Sequence, residues 1–169
     1  MCPRFGPVAP AERPLCGAPG LGVRVIAGQM FGATSPVKTH SDLFYGDVKL
    51  AAGASLPMPA EHEERAIYVA DGSLEIAGQV FEAGRLLVFR PRDAITVTAR
   101  TDARFMMLGG EPMDGPRHTW WDFVSSSNRR IEAAKEHWKR GLSDIVSAAA
   151  AHFLPLPETL SPVRVTLPA

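Results

Sequence analysis

The chain is poor in the features that mark specialised protein classes. It has two cysteines, Cys2 and Cys16, and its first twenty residues lack the apolar segment of a signal peptide. Because nothing else suggests secretion, two reduced thiols are favoured over a disulfide between them. The longest apolar runs, such as 86–89, are far too short to span a bilayer.

The charges are balanced, with 18 Lys and Arg against 18 Asp and Glu. A chain without net charge generates no field that would draw it to nucleic acid or to an anionic membrane, so we predict direct binding to neither. Its 169 residues suit one domain, and its 46% of hydrophobic and 21% of charged residues are ordinary for a globular protein. We therefore predict a cytoplasmic globular protein.

Proline and glycine divide the chain into four parts. Residues 1–22 hold five prolines and four glycines and are predicted to form a flexible lead-in. Residues 23–110 alternate short apolar runs with turn residues, which is typical of an all-β sandwich or barrel. Residues 111–154 are predicted to form a helical extension, and 155–169 a proline-rich extended tail.

Eight short strands are predicted in the second part. They are Val23–Ala27, Leu43–Leu50, Ala66–Ala70, Ser73–Ile76, Gln79–Phe81, Leu86–Phe89, Ile95–Ala99 and Arg104–Leu108. Asp71-Gly72 strongly indicates a hairpin, because glycine accepts the positive φ that a tight turn requires. Eight short strands at this spacing favour a closed barrel.

The third part predicts an amphipathic helix from Asn128 to Arg140 that ends at Gly141. The serines at 125–127 offer hydroxyls for its N-cap. A second, weaker helix is predicted over 142–151. The apolar side chains that share one face of the first helix are Ile131, Ala134 and Trp138.

The segment from Gly53 to Gly72 has the spacing of a metal-binding motif without most of its ligands. Cupin barrels carry a first motif of the form G-x5-H-x-H-x3-E-x6-G, and both glycines of this segment are in register with it. The three ligand positions hold Pro59, Glu61 and Arg65. Only the glutamate has a side chain suited to a metal, and the arginine would repel a cation.

The second cupin motif, G-x5-P-x-G-x2-H-x3-N, fits from Gly84 only with a one-residue insertion. It then places Pro91, Asp93, Thr96 and Arg100 at the four later positions. Thr96 stands where the histidine belongs, and a neutral hydroxyl is a poor ligand for iron or zinc. Because both motifs fail, we predict no catalytic residue, no bound cofactor and no metal ligand in this barrel.

A non-standard metal site is the alternative, and its weaker candidates are His40, Glu61 and His62. These would converge with the glutamates at 63–64 if the register slipped by one residue. If Glu61 faces the barrel interior, His62 should face away, because neighbouring side chains of a strand point to opposite faces. The favoured interpretation is a polar rim, with His62 bonded to a neighbour and the glutamates solvated or paired with Arg65.

The pair Trp120-Trp121, with His118 beside it, has two interpretations. It could form an aromatic platform for a ligand, or one indole could pack on the barrel while the other supports the following helix. Packing is favoured, because large aromatic side chains usually serve the core. An ion pair between Arg117 and Asp122 is a further expectation at this corner.

Three longer motifs resemble the C-terminal half of the pirin family. They are SPVKTH at 35–40, PMPAEHEERA at 57–66 and GPRHTWWDFVSSS at 115–127. The likeness extends from about residue 23 to 158, where FLPLPE resembles the end of a pirin chain. It implies a single cupin-type, RmlC-like jelly-roll β-barrel with a C-terminal amphipathic helix.

The resemblance also implies that the metal chemistry of the family is located in a different domain from the one that this chain resembles. Pirins are bicupins whose single metal, usually iron, is held by three histidines and a glutamate in the N-terminal barrel. The family is linked to quercetin 2,3-dioxygenase activity and, in some members, to redox-sensitive transcriptional co-regulation. Only about twenty residues precede the matching region here, so the metal-bearing barrel is expected to be absent and no family ligand is carried over.

Two main functions follow as hypotheses. The first is a non-catalytic structural or interaction module of a two-barrel assembly, whose partner is a second copy in a homodimer or a separate barrel of the N-terminal pirin type. The second is an iron-dependent dioxygenase of the quercetin 2,3-dioxygenase type with unconventional ligands. A truncated gene product is a third possibility.

Overall fold

The computed structural model describes residues 9–141, 155–157 and 163–165. They form two compact units, one up to Pro112 and one from Met113 onward. Strands predominate, and the described residues contain one α-helix, in the second unit. The prediction of a mainly β protein with a C-terminal helix is therefore confirmed. In this part of the chain no helix is both long and apolar enough to cross a membrane.

The larger unit contains two antiparallel sheets, preceded by a 3-10 turn at Pro10–Glu12. Its strands are β1 (Leu15–Ala18), β2 (Leu21–Met30), β3 (Ala33–Thr34), β4 (Leu43–Leu50), β5 (Ser55–Pro57), β6 (Glu64–Asp71), β7 (Ser73–Ile76), β8 (Gln79–Glu82), β9 (Leu86–Phe89), β10 (Thr96–Ala99) and β11 (Ala103–Gly110). The first sheet has the order β1-β2-β4-β11-β6-β9, with β3 paired to β2. The second has the order β5-β10-β7-β8.

Residues of both sheets share one hydrophobic core. Strand β4 shows how the sequence builds it, since Phe44, Val48 and Leu50 are buried while Tyr45 and Lys49 are exposed. This alternation arises because successive side chains of a strand point to opposite faces. Burying one large apolar side chain contributes about 1.5–3 kcal/mol relative to leaving it exposed. The apolar pattern thus determines which face of each strand points inward.

All eight predicted strands are present, and three of them have the predicted bounds. The turn at Asp71-Gly72 joins β6 to β7, and Gly72 has a φ of +74°. The predicted hairpin is wrong, because the two strands belong to different sheets and do not pair with each other. A Cβ atom on Gly72 would lie 2.3 Å from the carbonyl oxygen of Asp102. This turn therefore requires glycine both for its backbone conformation and for space.

The described part of the predicted lead-in, residues 9–22, differs from the expectation of an irregular segment. It contains the 3-10 turn and β1, which pairs with β2 from Leu15 opposite Arg24 to Ala18 opposite Leu21. The four residues of β1 carry no apolar alternation, so their structure comes from the hydrogen bonds of the neighbouring strand. Strands β3 and β5 are even shorter, with two and three residues, and were not predicted for the same reason.

The smaller unit has a three-stranded sheet that the sequence did not predict. Strand β12 (Arg117–Trp120) lies between β13 (Phe123–Ser125) and β14 (Val163–Val165). Strand β14 comes from the part of the chain that was predicted to be a tail. Its pairing with β12 joins segments that are distant in sequence, and no local sequence pattern predicts such a contact.

Helix α1 (Asn128–Lys139) confirms the predicted helix and its packed face. Ile131 is 1% exposed, and Ala134 and Trp138 are half-buried. The predicted capping hydroxyl is wrong, because Ser127 occupies the N-cap position without a side-chain bond to the helix. The Ser125 hydroxyl accepts a hydrogen bond from the Ser127 N–H instead, at 3.2 Å. The second helix, predicted over 142–151, lies outside the described residues.

Candidate functional site

Arg65 stands where the first cupin motif requires a carboxylate, and its side chain is buried in the larger unit. Strand β6 places it opposite Phe89 of β9 and Gly109 of β11. Only 1% of Arg65 is exposed. It faces inward because β6 alternates, with Ile67 and Val69 buried on the same side of the strand. The position that carries a metal ligand in a metal-binding barrel is therefore occupied by a buried cation.

The Arg65 guanidinium donates to three backbone carbonyls. Its Nη2 donates to the carbonyl oxygens of Arg90 and Asp93, at 3.0 and 2.9 Å. Its Nη1 donates to the carbonyl oxygen of Pro59 at 3.5 Å, and its Nε has no partner among the described residues. Of the two expected states of the neighbouring glutamates, solvated or paired with Arg65, the structure shows the first, because residues 63–64 are exposed and the hydrogen-bond acceptors of Arg65 among the described residues are backbone oxygens.

His62 is buried, whereas Glu61 is exposed, so the condition that Glu61 faces the barrel interior is not met. Strand β6 begins only at Glu64, so the alternation of a strand does not extend to these two residues. The His62 ring lies 5.2 Å from that of Phe44, centroid to centroid. Its Nε2 lies 3.3 Å from Asp42 Oδ1, within ion-pair distance. The direction does not suit a hydrogen bond, and neither ring nitrogen has such a partner among the described residues.

The candidate ligands do not come together in the part of the chain that the structure describes. His40 and Glu61 are exposed, and His62 has a single carboxylate nearby, that of Asp42. No group of three or more His, Cys, Asp or Glu side chains that could hold a metal ion occurs among the described residues. Thr96, at the histidine position of the second motif, is exposed at the start of β10.

These residues do not fit an iron centre. A non-haem iron site uses about three imidazole or carboxylate ligands on one face. Here the buried ligand position carries the Arg65 guanidinium, whose positive charge opposes a second cation. The prediction of no metal ligand in this barrel stays a prediction, and the donor chemistry of these positions agrees with it.

An ion pair on the surface of the larger unit was not foreseen from the sequence. Arg104 on β11 donates to both carboxylate oxygens of Asp47 on β4, each at 2.9 Å. This hydrogen bonding holds the pKa of the Asp47 carboxyl below its ordinary value. The two residues are far apart in sequence, and only the register of β4 with β11 brings them together.

Four aromatic rings cluster in the smaller unit. Trp121 meets Trp138 of helix α1 edge to face at 5.3 Å between centroids, and Phe123 lies 6.1 Å from Trp138. Trp120 is buried, stacks on Phe123 at 6.2 Å, and has the Lys135 ammonium 4.2 Å from its ring centroid. The expectation that one indole supports the helix is confirmed for Trp121. These contacts favour packing over a ligand platform.

Arg117 pairs with Asp114 rather than with Asp122. Its Nη2 donates to Asp114 Oδ1 at 2.6 Å, and this hydrogen bond lowers the pKa of the Asp114 carboxyl. The expected pair with Asp122 is therefore wrong. Asp114 is three residues before Arg117 in an irregular segment, which lets the side chain fold back, and no sequence pattern distinguishes the two acids. His118 is half-buried in β12.

Sequence comparisons identify related proteins. The family model described as the pirin C-terminal cupin domain matches residues 45–144. A pirin-like protein of Caulobacter vibrioides is 43% identical over 149 residues, which cover 88% of this chain and 51% of that protein. Human pirin is 30% identical over 140 residues, 78% of this chain and 48% of pirin. A Pseudomonas aeruginosa protein named as a candidate quercetin 2,3-dioxygenase is 33% identical, over 82% of this chain and 50% of that protein.

The chain spans about half the length of these curated relatives. Among solved structures, a crystal structure of quercetin 2,3-dioxygenase from Acinetobacter baumannii superimposes with a TM-score of 0.73 at 23% identity. The match covers 89% of this chain and 53% of that one. At this identity the likeness concerns the fold alone. It confirms the predicted cupin-type architecture.

Proposed function

Since the chain belongs to the pirin family, we propose that it is a C-terminal cupin domain that is non-catalytic by itself and serves as an interaction module in a two-barrel assembly. One observation carries this proposal. Arg65, at the ligand position of the first motif, is buried and bonded to backbone carbonyls. The described residues also assemble no set of three ligands. We propose, as the sequence predicts, that the domain works in the cytoplasm without a cofactor of its own.

The surface that supports an interaction role lies on strands β6 and β9. Tyr68 and Leu86 are opposite each other in these strands and are 42% and 59% exposed, and Val88, two residues along β9, is 76% exposed. All three point to the outer face of the sheet, and we call them the β6–β9 face. Strand β9 is also an edge strand in the described sheet. Exposed apolar side chains on a sheet edge favour association with another chain.

A second copy of this chain, or a separate barrel of the N-terminal pirin type, is the proposed partner. Light scattering across micromolar concentrations should show a homodimer for the wild-type chain. Val88→Lys should raise its dissociation constant about tenfold or more, because a buried unpaired charge costs more than the roughly 1.4 kcal/mol that a factor of ten represents. Val80→Lys is the matched control, since Val80 is 51% exposed on β8 at the edge of the other sheet.

Light scattering that showed only a monomer would contradict the homodimer. Binding to a separate barrel of the N-terminal pirin type would then be tested instead. The part of the Caulobacter vibrioides relative that this chain does not match is the suitable reagent, because the match covers 51% of that protein. Calorimetric titration of the two should show binding that Val88→Lys weakens and Val80→Lys does not. Absence of both self-association and binding would contradict an interaction role.

The alternative function is an iron-dependent dioxygenase with unconventional ligands. The name of the relative from Pseudomonas aeruginosa favours it, as do the two buried ring nitrogens of His62, which have no hydrogen-bond partners among the described residues. Oxygen consumption with quercetin and added ferrous iron tests it. Turnover that is lost in His62→Ala and kept in His40→Ala would favour the enzyme over the interaction module.

A further inference from the structure

Arg65 links the two segments that a metal ion links in a metal-binding cupin. Pro59 lies in the first motif, between β5 and β6, while Arg90 and Asp93 flank the proline of the second motif, between β9 and β10. In a metal-binding barrel each motif supplies ligands to one shared cation. Here carbonyl oxygens from both segments accept hydrogen bonds from one guanidinium, at 2.9–3.5 Å.

The chemistry of arginine suits this position. A buried charge is costly unless it is hydrogen-bonded, and among the described residues Arg65 is held by carbonyl dipoles rather than by a carboxylate. Its planar guanidinium carries five N–H donors, so it can satisfy several acceptors from a fixed direction. The same charge repels a divalent ion at close range.

We infer that Arg65 is a built-in cation that takes over the structural task of the metal, tying the segment before β6 to the loop between β9 and β10. The order of these segments then depends on Arg65 and not on any metal. This inference is independent of the proposed function, because it concerns what holds the two segments together whether or not the domain binds another barrel.

Hydrogen exchange at single amides measures this link. The Met58 N–H donates to the Ile95 carbonyl at 2.9 Å and so bridges the same two segments. Gly53 is the matched reporter, because its N–H donates to the Ala99 carbonyl at 2.7 Å, at the other end of the β5–β10 pair. In Arg65→Met we expect exchange at Met58 to accelerate about 10- to 100-fold, as the hydrogen bonds of a charged group are lost. Exchange at Gly53 should change little, and EDTA should leave both wild-type rates unchanged.

Arg65→Lys is the second variant, which keeps the charge and loses the planar fork. We expect faster exchange at Met58 than in the wild type and slower exchange than in Arg65→Met. Should the Met variant fail to fold, the Lys variant decides alone, and acceleration confined to Met58 supports the inference. An unchanged rate at Met58, an equal acceleration at Gly53, or a wild-type rate that responds to EDTA would overturn it.

Discussion

Gly72, which ends the Gly53–Gly72 segment, invites a quantitative test, because this chain keeps the glycine of the motif while the ligand positions hold other residues. Gly72 has a φ of +74°, and a Cβ atom there would lie 2.3 Å from the Asp102 carbonyl oxygen and 2.9 Å from the Ala103 Cα. Gly78, in the turn between β7 and β8, has a φ of +79°, and no atom of the described residues lies within 4 Å of an added Cβ. Alanine substitutions at Gly72 and Gly78 therefore separate two costs in unfolding free energy. Both substitutions carry the cost of a positive φ, and only the one at Gly72 adds a steric clash.

The expected magnitudes differ accordingly. An L-residue in the left-handed region costs about 1–2 kcal/mol, and Gly78→Ala should lose only that amount of unfolding free energy. Gly72→Ala also forces two backbone segments apart, and overpacking of this kind costs about 1–3 kcal/mol more. We therefore expect Gly72→Ala to be destabilised by about 2–5 kcal/mol in total.

Urea unfolding followed by far-UV circular dichroism measures the difference between the two variants. All three tryptophans lie in the smaller unit, so their fluorescence reports on that unit separately. At an m-value of about 1–3 kcal/mol per molar, the two midpoints should differ by roughly 1 M. Equal midpoints for Gly72→Ala and Gly78→Ala would refute the steric reasoning, and a wild-type midpoint for both would refute the conformational part as well.

Two further outcomes follow from single contacts. Because the folded chain depresses the pKa of Asp47, the stability that the Arg104 pair contributes is present above the pKa of an unfolded aspartate and is lost as the pH falls through the folded value. Unfolding at about pH 7 and about pH 3 should show Asp47→Asn less stable than wild type by about 0.2–1 kcal/mol at the higher pH, with a smaller difference at the lower; a constant difference would contradict the assignment. Trp138→Ala removes the ring contacts with Trp121 and Phe123 and should destabilise the smaller unit by about 1–3 kcal/mol, measured by the remaining tryptophan fluorescence, whereas Trp138→Phe should recover part of the loss.

The elements that were predicted correctly have a local signal. Strand β4 shows it as period-2 alternation from Leu43 to Leu50, and helix α1 as apolar residues at Ile131, Ala134 and Trp138. The segments that were not predicted lack such a signal. Strands β1 and β14 are short and exist through pairing with β2 and β12, so their hydrogen-bond partners are set by the whole sheet.

The candidate site was predicted in part. The sequence showed that Arg65 replaces a carboxylate ligand, but it left the partners of Arg65 open, because a guanidinium pairs with whichever acceptors the fold brings near. The sequence left open which of Glu61 and His62 faces inward, because both precede β6, which begins at Glu64, and the alternation of a strand does not extend to them. The likeness to pirins, read from the motifs alone, agrees with the family match over residues 45–144.

By itself the sequence determined the family, the strand pattern and the loss of the metal ligands, because each is written in residue identity and spacing along the chain. Only the tertiary structure decided that the Arg65 guanidinium is buried at the position where the cupin motif has a carboxylate ligand. Whether the Arg65 charge lies in solvent or inside depends on carbonyls of Pro59, Arg90 and Asp93. Backbone oxygens are the same in every residue type, so their convergence leaves no trace in the sequence.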